Sequence, residues 1–181
     1  MVIFFGPAGA GKSVQGQILS ARHGWRWLSA GQLLRDTHDA ELIREMQTGA
    51  LISEDRIKAI MKKALVESKD IDTVILDGYP RQLSQAKWLI DAQPEHERAV
   101  KVVIVLEVPK AEILRRLKIR GRADDTQEAI EERLRIYRSE IYPILDYFND
   151  QHILISHVDG TGTVGQVHDR VEAELAACKL V

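Results

Sequence analysis

Short apolar runs alternate with longer amphipathic ones along this chain. Val2–Phe5, Trp25–Leu28, Thr73–Leu76, Val100–Leu106 and His152–Ser156 read as strands, and a segment of helical character follows each. Parallel strands need a crossover between neighbours and bury both faces, so this rhythm predicts an α/β fold: a parallel sheet of five strands with helices on both sides. The crossovers should be right-handed. No internal repeat, low-complexity segment or linker interrupts the pattern.

Between Ser29 and Val66 the strand rhythm lapses and helices follow one another, which reads as an insertion. Gly49 is placed to end one helix in a left-handed conformation, and Ser53 with Glu54 and Asp55 to start the next. The longest helix should begin near Asp125 or Thr126, because Asp125 and Glu128 have the spacing of a capping box. Beyond it Ile130, Leu134, Tyr137, Ile141, Leu145 and Phe148 form one apolar stripe, which is core.

The first strand runs into Gly6-Pro7-Ala8-Gly9-Ala10-Gly11-Lys12-Ser13, a G-x-x-x-x-G-K-[ST] phosphate loop flanked by a strand and a helix as the motif requires. Glycines let backbone amides turn towards phosphate oxygens, the helix N-terminus adds its positive end, and Lys12 reaches the β- and γ-phosphates. The ligand this predicts is a nucleoside triphosphate with Mg²⁺. Asp77 closes the third apolar run, where a carboxylate holds Mg²⁺ through water; an Asp before Gly is also a common turn residue.

Composition narrows the class. The 181 residues carry a net charge of −2, so no global field invites nucleic acid or an anionic membrane. No apolar run approaches the roughly 20 residues of a membrane span, and the N-terminus lacks a signal-peptide pattern, so a cytoplasmic protein is expected. The single Cys178 allows neither an internal disulfide nor a zinc cluster, and suits a helix end packed on the core. Charge is uneven locally. Lys110 to Arg122 holds six basic residues against Glu112 alone, a net +5 on an acidic background, which suits a compact anionic ligand or else a solvated helix face.

Together with the loop, "DGYPRQLSQA" (77–86) resembles the nucleoside monophosphate kinases, the adenylate kinases in particular. "LSAGQLLRD" (28–36) and "TGALISEDRI" (48–57) look like that family's acceptor-nucleotide segments. "RLKIRGRADDTQEAIEERL" (116–134) looks like its arginine-rich lid and following helix, and "VDGTGTVGQV" (158–167) like the loop near the donor base. The resemblance covers nearly the whole chain. It implies a P-loop fold with core 1–28, 67–115 and 127–181, an acceptor-binding insertion 29–66 and a short lid 116–126. It also implies Mg²⁺-dependent transfer of the γ-phosphoryl of ATP to AMP; nothing in the sequence suggests dimerisation, and a monomer is the default expectation.

By the same resemblance, Gly6, Gly9, Ala10, Gly11, Lys12, Ser13, Val14, Arg116 and Thr161 hold ATP, while Ala30, Arg35, Ile52, Gly78, Arg81 and Gln85 hold AMP. Lys12, Arg116, Arg120, Arg122 and Arg133 surround the phosphoryl group in flight, and Ser13 and Asp77 serve the metal. Arg35 also has a helix partner within reach in Asp39 at i+4. Arg133 has no carboxylate at i±3 or i±4, so an anion elsewhere should meet it. Only a few residues separate Arg116 from Arg122, leaving room for a loop with Gly121 as pivot rather than a small domain.

The chain departs from the family's usual pattern at three positions. Ser13-Val14 replaces Gly-Thr, moving a hydroxyl to the place of the general P-loop metal ligand. Gln32 stands where an acid is usual. Ala30 is shared with pyrimidine kinases, whereas Gln85 suits the adenine edge, so UMP/CMP kinase and a nucleotide-binding protein with decayed catalysis stand as alternatives.

Overall fold

A computed structural model describes residues 1–49 and 51–181; Ala50, within the 48–57 segment, lies outside them. In chain order the elements are β1 (Val2–Phe5), α1 (Lys12–His23), β2 (Arg26–Ser29), α2 (Ala30–Asp36), α3 (Ala40–Thr48), α4 (Glu54–Val66) and β3 (Val74–Asp77). Then come α5 (Leu83–Asp91), α6 (Gln93–His96), β4 (Val102–Glu107), α7 (Lys110–Arg120), α8 (Gln127–Asp150), β5 (Leu154–Asp159) and α9 (Val164–Ala177). The five strands form one parallel sheet in the order β2-β3-β1-β4-β5.

The central strands are apolar on both sides because both sides are covered. Ile3, Phe5, Leu28, Leu76, Val103 and Val105 face the cluster built by α2, α4, α5 and α8. Their neighbours Val2, Phe4, Ile75, Val102, Ile104 and Leu106 face Leu19 of α1 and Val167, Val171 and Leu175 of α9. A one-residue alternation thus divides the core between two layers. The α8 stripe is packed as expected, with Ile130, Leu134, Ile141 and Phe148 buried and Tyr137 and Leu145 half-buried. Ile130 and Leu134 meet Ile113 and Leu117 of α7, which seats the 116–126 loop on the core.

Strand boundaries shift where the apolar pattern is a poor guide. β5 starts at Leu154, beyond the left-handed His152 (φ 56°), and runs on to Asp159 through polar positions. As an edge strand it buries only alternate residues, Ser156 and Val158, so apolar runs understate its length.

Helix caps differ from the sequence expectation in two places. Thr126, not Asp125, caps α8: its Oγ1 accepts from Ala129 N at 3.2 Å, while Asp125 accepts from Arg120. Ser53 precedes α4 without a side-chain cap bond, although Glu54 and Asp55 occupy the first turn as expected. Gly49 does end α3 at φ 80°, and a Cβ there would lie 2.6 Å from Ala129 O, so glycine alone allows α3 to approach α8 so closely. Cys178 follows the last turn of α9 and packs on the second cluster.

Candidate active site

All five strands point their C-terminal ends at one edge of the sheet, and β1 lies between β3 and β4, where the connections diverge. Ligands of open α/β sheets bind at such a switch point. A cavity of about 620 Å³ opens there, lined from the 8–15 segment, the insertion, the 77–85 segment, α7 and the loop before α9.

The loop after β1 wraps tightly before α1 begins at Lys12. Gly6 at φ 142° sits so close to β4 that a Cβ would lie 2.8 Å from Leu106 O, which excludes a side chain. Gly9, Ala10, Gly11, Ser13 and Val14 line the cavity. Gly6 instead lines a smaller cavity of about 90 Å³ behind the loop, shared with Lys12, Arg81, Arg133 and Tyr137. Lys12 Nζ donates to the carbonyls of Gly6 (2.6 Å) and Pro7 (2.9 Å), folding its ammonium onto the loop. Burial pushes that ammonium down to about 8, against the opposing pull of the Asp77 carboxylate.

Ser13 Oγ donates to Asp77 Oδ2 at 2.7 Å, and Trp27 Nε1 donates to the same oxygen at 3.3 Å. The register of β2 with β3 puts Ser29 opposite Asp77, and that of β1 puts Phe4 opposite it, so a buried carboxylate stands beside the phosphate loop. Two oxygen donors side by side, one of them anionic, suit a hard cation such as Mg²⁺.

Seven guanidinium groups line the cavity in addition to Lys12: those of Arg35, Arg81, Arg115, Arg116, Arg120, Arg122 and Arg133. Carboxylates and carbonyls hold four of them in place, Arg115 through Glu112 at 2.7 Å. Arg116 binds Glu112 and reaches the carbonyls of Ala10 (3.2 Å) and Gly160 (2.9 Å), bridging the phosphate loop and the end of β5. Arg120 Nε donates to Asp125 at 2.8 Å. Arg133 binds Asp124 at 2.6 Å, lies 3.5 Å from Asp125 and donates to Met46 O at 3.1 Å, which supplies the off-helix anion its sequence context demanded.

The other three are held by neutral groups or free. Arg35 Nη2 donates to Gln32 Oε1 at 3.1 Å, not to Asp39, because Asp39 is engaged in capping α3. Arg81 Nε donates to Gly78 O at 2.9 Å. Among the described residues, Arg35, Arg81 and Arg122 pair with no carboxylate. Burial lowers the pKa of Arg35 and Arg81, and nearby guanidinium groups push the same way, Arg122 on Arg35 and Arg133 on Arg81. Crowded cations without counter-ions mark a place prepared for an anion.

At the insertion end, Ala30, Ile52, Gly78 and Gln85 line the same cavity, together with Leu34, Ile57 and Tyr79. Gln85 Oε1 accepts from Arg81 N at 2.8 Å and Nε2 donates to Gln82 at 3.1 Å, so its amide is fixed in orientation. At the opposite end Thr161 is not in the wall. Its N–H and hydroxyl both turn onto Asp159 Oδ1, and Gly162, Thr163 and Val164 line the cavity instead. Glu112 was also missed, although its i+3 and i+4 spacing to Arg115 and Arg116 was readable; those two groups hold its carboxyl down to about 2.

The family model for adenylate kinase matches residues 4–153, a span that takes in the Gly6–Ser13 loop and the arginines from Arg115 to Arg122. The chain belongs to the adenylate kinase family. It is 38% identical to the adenylate kinase of Synechococcus sp. (strain WH7803), over 97% of this chain and 98% of that one. The adenylate kinase of Thermus thermophilus is 38% identical over 96% of each chain, and that of Prochlorococcus marinus subsp. pastoris 35% over 97% of each. The chain is thus a nucleoside monophosphate kinase that moves the γ-phosphoryl group of ATP to AMP, giving two ADP. AMP is thus the acceptor, and Ala30 does not make the chain a pyrimidine kinase. Among the described residues no helix is long and apolar enough to cross a membrane.

Proposed function

We propose that the cavity works as two nucleotide sites meeting at the guanidinium cluster. ATP lies along the phosphate loop with its base towards residues 162–164, and AMP lies in the 29–66 insertion with its base towards Gln85. The supporting observation is that the guanidinium groups of Arg35, Arg81 and Arg122 converge on one cavity with Lys12 and, among the described residues, pair with no carboxylate. Arg35 and Arg81 grip the acceptor phosphate, since a planar fork matches its oxygens. Lys12, Arg116, Arg120, Arg122 and Arg133 stabilise charge on the oxygens of the phosphoryl group in transit. Such a transfer needs positioning and electrostatics, not a covalent nucleophile.

Ser13 and Asp77 would hold Mg²⁺, Asp77 through water, and the ion would neutralise charge on the β- and γ-phosphates. Residues 116–126 serve as a lid turning at Gly121, which ends α7 in a left-handed conformation. Closure keeps out the water that would hydrolyse ATP; adenylate kinase is itself a standard example of lid motion. We place the reaction in the cytoplasm.

The test is diphosphate formation from Mg²⁺-ATP with AMP, repeated with Arg81→Ala. ADP from AMP, with a raised KM for AMP and a nearly unchanged KM for ATP in the variant, supports the assignment. Equal effects on both nucleotides would remove Arg81 from the acceptor site.

A further inference from the structure

Between α1 and α9, three side chains and one backbone carbonyl form a chain of hydrogen bonds with a single consistent direction. Arg22 Nη1 lies 2.6 Å from His168 Nε2, and His168 Nδ1 lies 3.0 Å from Gln15 Oε1. Gln15 Nε2 in turn donates to Val164 O at 3.0 Å. His168 is 4% exposed and Gln15 2%, so water does not compete for these bonds. A guanidinium only donates, so Nε2 accepts and the imidazole proton sits on Nδ1. That proton fixes the Gln15 amide with its oxygen towards His168 and its NH₂ towards Val164. The flipped amide would set two donors against each other and two oxygens against each other. Glu172 holds the outer end of the chain through Arg22 (3.3 Å) and His23 (3.0 Å); its carboxylate also comes within 3.3 Å of His168 Nε2, and the Arg22 guanidinium donates to both acceptors.

The chain joins two parts of the cavity wall. Gln15 lies in the first turns of α1, directly after the phosphate loop, and Val164 opens α9. Both line the cavity. We infer that His168 is a positioning residue for the triphosphate substrate: through the Gln15 amide it fixes the span between the phosphate loop and the base wall at Val164. This rests on the reading that residues 162–164 wall the donor base. An ATP molecule must bridge that span, whereas AMP touches neither end, so loss of the relay should act on one substrate only.

The experiment compares His168→Asn, His168→Gln and His168→Leu. The Asn amide nitrogen falls where Nδ1 stands and restores the donor to Gln15; the longer Gln amide reaches the place of Nε2 and leaves Gln15 unheld. The dissociation constant for ATP is read by titration calorimetry, and kcat and both KM values are read from ADP formation. His168→Gln and His168→Leu should weaken ATP about tenfold, the loss of roughly one net hydrogen bond, with the KM for AMP and kcat at saturating ATP changed less than about twofold. His168→Asn should return ATP affinity to within about twofold of the parent. Equal weakening by Asn and Gln, unchanged ATP affinity in all three, or parallel changes for ATP and AMP would each overturn the proposal. ADP formation failing in the parent while calorimetry still shows the Asn–Gln difference would remove the assigned reaction and leave the relay standing.

Discussion

Ser13 Oγ donates a 2.7 Å hydrogen bond to Asp77 Oδ2, joining the first turn of the phosphate-loop helix to the end of the neighbouring strand. This chain gains a hydroxyl directly after Lys12 and has Gln32 where the family it resembles usually carries an acid, so the pair is proposed as the seat of the metal. Ser13→Ala should raise the Mg²⁺ concentration needed for half-maximal rate and lower kcat, with little loss of packing. A magnesium titration superimposable on the parent's would show that every metal contact runs through water and that Ser13 is a bystander.

Lys12 should couple activity to pH. Its ammonium is lowered by burial to about 8 in the free enzyme, so kcat/KM for ATP should fall as pH rises through that value. The stability effect has the opposite sense. A lysine with a depressed folded pKa binds its proton more weakly than in the unfolded chain, so its cost to stability is full below about 8 and vanishes as pH rises towards the unfolded value of 10.5. Lys12→Met should therefore lower kcat by orders of magnitude while leaving the Tm at neutral pH unchanged or raised. A variant with unchanged turnover would remove Lys12 from the reaction.

Arg133 now carries a structural as well as a catalytic expectation. Its bonds to Asp124 and Met46 O fasten α8 to the lid and to the insertion. Arg133→Ala should lower kcat strongly, with a modest effect on AMP binding, and should also cost about 1–3 kcal/mol of stability, because Asp124 loses its partner. Thermal unfolding and kcat measured well below the Tm separate the two. Loss of stability with kcat intact would confine Arg133 to packing.

Acceptor choice should respond to Ala30 and Gln85, which line the same end of the cavity. AMP should be the best acceptor, with CMP detectable but poorer. Ala30→Thr adds one hydroxyl and should raise the AMP-over-CMP ratio of kcat/KM by at most about tenfold, the value of one neutral hydrogen bond. Gln85→Ala should lower that ratio, and because its amide also holds Arg81 N at 2.8 Å, the KM for AMP should rise with it. CMP or UMP outperforming AMP in the native protein would overturn the acceptor assignment while leaving phosphoryl transfer in place.

Much of this protein was determined locally. The five strand runs, the phosphate loop from Gly6 to Ser13 and the α8 stripe from Ile130 to Phe148 rest on spacing along one element, and backbone geometry converts that spacing into a face or a turn. The +5 segment from Lys110 to Arg122 was equally legible as charge, and the fold places Arg115, Arg116, Arg120 and Arg122 of it in the cavity wall. Tertiary structure decided what depends on partners remote in sequence. Asp125 had the spacing of a cap, yet Arg120 claims it and Thr126 caps instead. Thr161 stood at the right place in the loop, but Asp159 draws both its polar groups away and leaves the wall to residues 162–164. The register of β2 and β1 against β3 set Asp77 beside Ser13. The bond between Gln15 and His168 spans 153 positions and has no signature along the chain, because it exists only where α1 and α9 cover the same face of the sheet.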